Sequence, residues 1–347
     1  MKRISLLLVF LASIGLLFQC RPTGKEAAAT LKEAAAATAE LPALPDSIAN
    51  PAIRLSALKV QGNLIVGEDS KPVQLQGMSL FWSQWIGKYY NAKAIRWLKH
   101  DWNCTVVRAA MAVEYGGYLT QPGLEQKKVF TVIDAAVKEG LYVIVDWHDH
   151  HGENHLIEAK QFFATVAQRY GHLPNVIYET YNEPLNVSWK EILKPYHQAI
   201  IDTIRYYDPN NLIVCGTPNW SQDVQVAAAD PLPDTNVVYT LHFYAGTHRE
   251  GLRAKAYTAL YNGAALMVTE WGVTAADADG THGIYEAETK LWWKFIDDHH
   301  LSSCNWSLAD KDESSSALKP GAAASGGWTD DMLTTSGIIV RNHLRNK

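Results

Sequence analysis

Two apolar strands of the sequence are predicted to end near a glutamate. Val176-Ile177 leads into residues 178–184, where Glu183 is followed by a proline that does not continue a strand. Residues 266–272 have the same design, with Glu270 followed by an aromatic residue and a glycine. Hydrolysis of a glycosidic bond needs two facing carboxylates, one to protonate the leaving oxygen and one to attack the sugar or activate water. Glu183 and Glu270 are candidates for this pair.

The elements that would position these glutamates alternate regularly. The sequence predicts eight strands, at residues 73–78, 105–109, 142–146, 176–179, 212–215, 237–242, 266–269 and 303–308. Amphipathic helices are predicted between them, for example at residues 92–100, 124–139, 157–170, 189–207 and 285–299. This alternation implies parallel pairing through right-handed crossovers, and eight strands imply an α/β fold closed into a (β/α)8 TIM barrel. An open doubly wound sheet is the alternative, but no glycine-rich phosphate loop follows the first strand.

Closure into a barrel also explains the spacing of the two glutamates. Glu183 and Glu270 are 87 residues apart (270 − 183), which is about three βα units of about thirty residues each. They would follow the fourth and seventh strands and face each other across the mouth of the barrel. Residues 58–66, with a turn at Gly62-Asn63, are predicted to form a small hairpin at the opposite end.

Composition limits the partners of the chain. Its 347 residues have room for one barrel of about 250 residues with an N-terminal extension. The net charge of −5 argues against a nucleic-acid partner, which requires clustered lysine and arginine. Twelve tryptophans and sixteen tyrosines offer rings on which sugars stack, although core packing also uses such residues. No cofactor is expected, and a monomer is expected.

The N-terminal part of the chain is predicted to direct export. Residues 1–20 combine a basic start with an apolar run too short to span a bilayer, as in a secretory signal. Residues 17–20 also resemble the lipobox of bacterial lipoproteins, in which Cys20 would be lipidated, but Gln19 departs from the small residue usual there. A secreted protein and a cell-surface lipoprotein therefore both remain open. Residues 21–52, rich in Ala, Glu, Lys and Pro, are predicted to be a linker, and residues 53–347 the catalytic domain.

Seven short motifs, in order at predicted strand ends, resemble those of the glycoside hydrolase family 5 cellulases. They are Gly77-Met78-Ser79 with Gln84-Trp85, Val107-Arg108-Ala109-Ala110-Met111, Asp146-Trp147-His148, Tyr181-Asn182-Glu183-Pro184, Leu241-His242-Phe243-Tyr244, Thr269-Glu270-Trp271-Gly272 and Asn305-Trp306-Ser307. The resemblance runs from about residue 58 to the C-terminus. One departure is Phe81-Trp82, where many relatives have a His-Gly pair.

The resemblance assigns roles to these residues. It implies that Glu183 is the acid/base and Glu270 the nucleophile of a retaining reaction, and that Asn182 hydrogen-bonds the sugar 2-hydroxyl. Arg108 and Tyr244 are donor types that would keep Glu270 ionised and lower its pKa, whereas burial and a neighbouring charge would raise the pKa of Glu183. His148 and His242 are expected to orient these groups or contact the sugar.

Other positions are expected to bind substrate rather than react. Trp85, Trp220 and Trp306 fall just after the first, fifth and eighth strands and are candidate stacking platforms. Lys311 and Glu313, in the loop after the eighth strand, are candidate polar contacts to a neighbouring sugar.

A run of histidine and acidic residues from 146 to 155 suggests a metal site, since imidazole and carboxylate are common ligands. The run lacks a paired helical histidine motif, and hydrolysis by two carboxylates needs no metal. No catalytic metal is therefore predicted, while a cation bound outside the reaction remains open.

These features together predict an exported endo-β-1,4-glucanase that acts on β-glucan. The same catalytic set would serve a β-mannanase or a mixed-linkage glucanase, because the loops select the sugar. A glycan-binding surface lipoprotein without activity is the alternative from another class.

Overall fold

Eight parallel strands form a closed barrel in the computed structural model, which describes residues 43–276 and 283–347. After a short hairpin of β1 (Lys59–Gln61) and β2 (Leu64–Val66), the barrel strands are β3 (Gln76–Leu80), β4 (Val106–Ala112), β5 (Tyr142–His148), β6 (Val176–Glu179), β7 (Ile213–Cys215), β8 (Val237–Tyr244), β9 (Leu266–Gly272) and β10 (Ser302–Leu308). They pair in sequence order, and β10 pairs with β3 to close the ring. The predicted (β/α)8 TIM barrel with an N-terminal hairpin is confirmed. Residues 1–42, which include the predicted signal and Cys20, lie outside the described residues.

Helices follow the strands around the outside of the barrel. The described helices are α1 (Asp46–Ala49), α2 (Ala92–His100), α3 (Pro122–Glu139), α4 (Leu156–Tyr170), α5 (Lys194–Tyr207), α6 (Pro218–Ser221), α7 (Val224–Ala229), α8 (Glu250–Tyr261), α9 (Glu286–Asp298) and α10 (Thr335–Arg345). The helix predicted at 189–207 divides into a π-helical turn, Trp189–Leu193, and α5, with Pro195 in the first turn of α5. No helix among the described residues is long and apolar enough to cross a membrane.

The first barrel strand begins later than the sequence predicted. Residues 73–75 were expected to open it, but the Val73 amide donates to the Ile65 carbonyl, 2.9 Å away, so this segment starts beside the hairpin. Leu58 and Ile65 pack with a buried apolar layer at the bottom of the barrel that includes Ile144 and Ile177. The hairpin therefore closes the end of the barrel opposite to the predicted mouth.

The strand period of two separates the barrel interior into an apolar layer and a polar layer. Val106, Ile144 and Ile177 belong to the bottom layer. Two residues further along the same strands, and so on the same face, are Arg108, Asp146 and Glu179, all fully buried. His148 of β5 faces inward as well, and in β8 the inward-facing residues are Val238, Thr240 and His242. The carboxyl ends of the strands thus carry the polar groups.

The packed part of the chain begins before residue 53. Ile48, in the predicted linker, is fully buried in the main core between the helices and the sheet. Helix α1 contacts α3, so the segment before residue 53 packs against the helices that surround the barrel. The last residues of the predicted linker are therefore part of the folded unit.

Candidate active site

A cleft of about 720 Å³ opens at the carboxyl ends of the barrel strands. All the predicted site residues except Arg108 line it; they are His148, Asn182, Glu183, His242, Tyr244 and Glu270, with Trp85, Trp220, Trp306, Lys311 and Glu313 around them. The structure therefore brings these predicted residues together around one cleft. Arg108 lies beneath its floor, fully buried.

Arg108 connects most of the polar layer. Its Nε donates to Glu179 Oε2 at 2.6 Å, one terminal nitrogen to Glu270 Oε2 at 3.0 Å, and the other to Asn182 Oδ1 at 2.6 Å. The second terminal nitrogen also lies 2.9 Å from Asp146 Oδ2. Burial alone would lower the pKa of Arg108, but the three carboxylates raise it well above its ordinary value. Arg108 is a permanent cation that positions the site from below.

Glu270 is held by two donors that do not release their protons. Tyr244 Oη donates to Glu270 Oε1 at 2.6 Å, while Arg108 donates to the other carboxylate oxygen, Oε2. Burial and then the charge of Glu270 raise the pKa of Tyr244 well above its ordinary value, so the phenol stays protonated. Both donors were predicted, and each lowers the pKa of Glu270 as expected, but the predicted net lowering of that pKa is wrong. Burial and then the charge of Glu183 raise the pKa of Glu270, and these outweigh His242, Arg108 and Tyr244.

Glu183 contacts two imidazoles. His242 Nδ1 lies 2.9 Å from Glu183 Oε1, and His150 Nε2 lies 3.2 Å from Oε2. Burial would raise the pKa of Glu183, but these hydrogen bonds outweigh it and lower the pKa to about 2. The predicted rise is therefore wrong for the free protein, because His150 and His242 together outweigh the burial from which the rise was predicted.

The proton missing from Glu183 resides on His242. Burial disfavours the imidazolium, but the nearby carboxylate of Glu179 and the hydrogen-bonded carboxylate of Glu183 raise the pKa of His242 to about 9. Its Nε2 lies 2.9 Å from Thr269 Oγ1, whose hydroxyl donates to Glu179 Oε1. Because the Thr269 proton is committed to Glu179, Thr269 accepts from His242 Nε2–H. Nδ1 is then the nitrogen from which His242 can pass a proton to Glu183.

Asn182 presents a donor to the cleft. Arg108 donates to its Oδ1, which fixes the amide so that the Nδ2 hydrogens are available to another acceptor. The backbone amide of Asn182 donates to the Trp147 carbonyl at 3.1 Å, which ties it to β5. This orientation suits a hydrogen bond to a sugar hydroxyl, as the resemblance implied.

His148 belongs to an aromatic wall. Burial, and then the charge of Arg108, hold the pKa of His148 well below its ordinary value. Its ring stacks on Trp306 with 5.2 Å between centroids and 5° between planes, and Trp82 meets it edge-on at 4.2 Å. Trp306 is only 6% exposed because Phe81 covers another side at 5.2 Å. The Phe81-Trp82 departure thus builds a continuous wall beside the two glutamates.

The other predicted binding residues line the same cleft as this wall. Trp85 and Trp220 are 56% and 44% exposed, so part of each ring is free to contact a sugar. Lys311 pairs with Glu313 at 2.5 Å and lies 5.7 Å above the centroid of the Phe81 ring. The five predicted binding residues therefore share one cleft with the glutamates.

Several residues of the site were not predicted in these roles. Glu179 and Asp146 are fully buried partners of Arg108, and the inward parity of their strands could have revealed them. His150 was assigned only to the possible metal cluster, although it contacts Glu183. Its position in a loop gives no periodic signal, so the sequence alone could not have placed it there.

Two groups among the described residues have a geometry that could hold a cation. The ligand atoms of Glu183, His242 and Glu270 lie within 4.8 Å of one another, as do those of Glu114, Asp149 and His155. The first group contains the two glutamates predicted to react and the histidine beside Glu183. The second lies in the loops that follow β4 and β5, apart from these two glutamates.

Comparison with known proteins agrees with this geometry. Residues 66–312 match the model of the family described as Cellulase (glycosyl hydrolase family 5). Endoglucanase Z of Dickeya dadantii is 50% identical over 294 residues, covering 83% of this chain and 66% of that protein. Endoglucanase A of Evansella cellulosilytica is 48% identical over 279 residues, covering 79% of this chain and 57% of that protein. The chain thus spans less than two thirds of the length of these relatives.

Solved structures agree as well. A Cytophaga hutchinsonii protein superposes with a TM-score of 0.82 and 51% identity, covering 84% of this chain and 94% of that one. The catalytic domain of Thermobifida fusca endoglucanase, solved with cellotetraose, gives a TM-score of 0.79 and 31% identity, with coverages of 83% and 97%. The chain, with its barrel and its two facing glutamates, belongs to glycosyl hydrolase family 5.

Proposed function

We propose that this chain is a retaining endo-β-1,4-glucanase. The observation that supports this most directly is the distance between the two glutamates, whose nearest carboxylate oxygens lie within 4.8 Å. Retaining enzymes hold the two carboxyl groups about 5–5.5 Å apart, whereas inverting enzymes need roughly 6.5–9.5 Å to admit a water molecule. The short gap between the two glutamates fits direct attack on the sugar by one of the carboxylates.

The partners of each glutamate distinguish their roles. Glu183 contacts His242 and His150, which can supply a proton, whereas among the described residues Glu270 accepts hydrogen bonds from Arg108 and Tyr244, which keep theirs. Glu183 is therefore the acid/base and Glu270 the nucleophile. When Glu183 accepts the proton from His242 Nδ1, the negative charge of Glu183, which raises the pKa of Glu270, and the positive charge of His242, which lowers it, disappear together. Arg108 and Tyr244 then remain as the groups that favour the ionised form of Glu270.

The reaction proceeds in two displacements. Glu183 gives its proton to the glycosidic oxygen while a Glu270 oxygen bonds to the anomeric carbon, and the C–O bond to the leaving sugar breaks. Glu183, now ionised, then takes a proton from water as the water oxygen attacks the same carbon and releases Glu270. Asn182 donates to the neighbouring hydroxyl, an interaction that strengthens in the transition state.

The substrate assignment rests on the relatives and on the shape of the cleft. Several relatives are named endoglucanases, and the Thermobifida fusca structure holds cellotetraose. The cleft is open along the barrel mouth and carries exposed tryptophans on both sides, which suits an internal segment of a polymer. A β-mannan or a mixed-linkage glucan would meet the same reacting groups.

A panel of soluble polysaccharides tests the proposal. We expect new reducing ends and a rapid fall in viscosity with carboxymethyl cellulose, slower release from mannan, and a first product of β configuration by proton NMR. Faster cleavage of mannan than of β-1,4-glucan would replace the substrate assignment. Binding without any new reducing ends would favour the non-catalytic glycan-binding protein instead.

We also propose that the chain is exported, on the strength of its N-terminal sequence. Stable attachment through Cys20 would need more than one acyl chain, because a single chain gives only marginal binding. A lipidated protein should partition into detergent and lose this property in Cys20→Ala. Recovery of the wild type only in the aqueous phase would leave simple secretion.

A further inference from the structure

Loops that follow β4 and β5 bring two imidazoles and two carboxylates together outside the reacting pair. Glu114 lies two residues beyond β4, and Asp149 lies directly after β5. His151 and His155 flank the 3₁₀ turn Gly152–Asn154 that precedes α4. The ligand atoms of Glu114, Asp149 and His155 lie within 4.8 Å of one another, and His151 Nδ1 lies 3.2 Å from Glu114 Oε2.

Asp149 orients this cluster. Its side chain is fully buried; Oδ1 accepts from the His151 amide at 2.9 Å, and Oδ2 lies 2.7 Å from His155 Nδ1. An ionised carboxylate only accepts, so His155 Nδ1 carries the hydrogen, and in the neutral ring Nε2 carries the lone pair. That lone pair belongs to the nitrogen nearest Glu114 Oε1, at 3.9 Å, which is too long for a hydrogen bond.

This arrangement is the one that metal-binding histidines adopt. Such a histidine donates one ring N–H to a carboxylate and uses the other nitrogen as the ligand. Two ligands about 2.0–2.1 Å from a tetrahedral ion are roughly 3.3–3.4 Å apart. The separations of 3.9 Å between His155 and Glu114 and of 3.2 Å between His151 and Glu114 lie on either side of that value.

We propose that Glu114 and His155 bind one divalent first-row cation of the zinc class, with Asp149 orienting His155 and His151 lying beside Glu114. An imidazole together with a carboxylate suits such an ion better than Mg²⁺ or Ca²⁺, which prefer oxygen ligands. Glu114 and His155 are 25% and 17% exposed, so water can complete the coordination. The partial positive charge at the start of α4 opposes a cation, and the two carboxylates of the cluster offset it.

The site has a structural consequence for the loop that carries it. Glu183 N donates to the Asp149 carbonyl at 3.3 Å, and His150, inside the loop, contacts the Glu183 side chain. A bound cation would tie the loop to β4 through Glu114. It has no part in the two displacements, so its effect is on the stability of the folded protein.

Zinc chloride titrated into the full chain, after chelator treatment and removal of the chelator, tests the proposal. We expect one equivalent to bind by calorimetry and to raise the melting temperature, because the ion binds the folded state. His155→Gln and Glu114→Gln should each weaken binding at least about tenfold and abolish the rise. His100→Gln is the matched control, since His100 pairs with Glu139 at 2.8 Å without a third ligand, and it should bind zinc like the wild type.

The reacting pair is the competing site, because Glu183, His242 and Glu270 also lie within 4.8 Å of one another. Zinc should still bind the loop site in Glu270→Gln, and zinc should leave glucan hydrolysis by the wild type unchanged. Anomalous scattering should place the ion beside His155. Loss of binding in Glu270→Gln with retention in His155→Gln would overturn the proposal, as would the absence of binding in the wild type. If Glu114→Gln does not fold, His155→Gln carries the test.

Discussion

The nature of the donors around each glutamate decides what that glutamate can do. Glu183 faces two imidazoles that exchange protons near neutral pH, while Glu270 faces a guanidinium and a phenol that do not. Replacing either glutamate should therefore produce a different defect, even where both replacements abolish cellulose hydrolysis. This difference is the basis of the first prediction.

Loss of the acid and loss of the nucleophile should be distinguishable by leaving group and by azide. Glu183→Ala should slow hydrolysis of unactivated glucan about 10²–10⁴-fold, yet spare the first step with aryl glycosides whose leaving group needs no proton. Glu270→Gly should be inactive with both substrates. Azide should restore turnover in Glu270→Gly with an α-glycosyl azide, and in Glu183→Ala with a β-glycosyl azide, as NMR would show.

Glu313→Gln is the control for this contrast, because Glu313 lines the same cleft but pairs with Lys311 rather than with a reacting group. It should change KM more than kcat and show no azide effect. A β-glycosyl azide from Glu270→Gly, or an α-configured first product from the wild type, would refute the role assigned to Glu270.

Residue types and their spacing were enough to predict which side chains share the site, but not their protonation. Glu183 could be placed because it follows a strand, and Glu270 and Arg108 because each lies in one. The directions of the glutamate pKa shifts came out opposite to the prediction. The shift of Glu183 depends on His150 and His242 lying within hydrogen-bonding distance, and no local sequence pattern gives that distance. The shift of Glu270 depends on its burial and on the charge of Glu183.

At the scale of elements, the contact between β3 and β4 controls the position of Arg108. Gly77 pairs with Val106, two residues before Arg108, and a Cβ at Gly77 would lie 1.7 Å from the Val106 carbonyl oxygen. That oxygen belongs to the backbone and cannot move without shifting β4. Glycine is therefore required at this position by close approach rather than by backbone conformation.

Gly77→Ala should destabilise the protein by several kcal/mol, in the exceptional range for a single substitution, because a strand must move. Any folded fraction should have reduced kcat, since Arg108 would shift relative to Glu270. Thermal unfolding monitored by circular dichroism, together with assays of soluble protein, measures both effects. Gly123→Ala is the matched control. Gly123 lies in α3, and a Cβ added there would have nothing within 4 Å, so the substitution should change the free energy of unfolding by no more than about 1 kcal/mol. Equal melting temperatures for the two variants would contradict the steric argument.

Alternation of strands and helices was sufficient to predict the barrel and the strand order. The start of β3 was not predictable in this way, because residues 73–75 are as apolar as the strand itself. Their place was decided by the Ile65 carbonyl of the hairpin, which accepts from Val73. In β4, β5 and β6 every second residue faces the barrel interior, and this alternation can be read from the sequence. It places Asp146 and Glu179 beside Arg108.

At the scale of the whole molecule, the ion pair of Glu183 and His242 links folding to pH. The pKa of His242 rises from 6.5 to about 9 on folding, so its contribution to stability is complete below pH 6.5 and is lost as the pH rises through about 9. The pKa of Glu183 falls from 4.5 to about 2, so its contribution is complete above pH 4.5 and is lost as the pH falls through about 2. The pair therefore stabilises the fold fully between pH 4.5 and 6.5.

His242→Gln should lower the melting temperature most within that window, and the difference from the wild type should shrink as the pH approaches 9. The pH-dependent part of the difference in the free energy of unfolding is on the order of 3 kcal/mol, counted once for the pair. His197→Gln is the contrasting variant, because burial lowers the pKa of His197 to about 4 and the ring is neutral in both states above pH 6.5. Its effect on the melting temperature should stay constant from pH 6.5 to 9. A constant difference for His242→Gln over the same range would mean that His242 is neutral in the folded protein, and that Glu183 does not draw its proton from it.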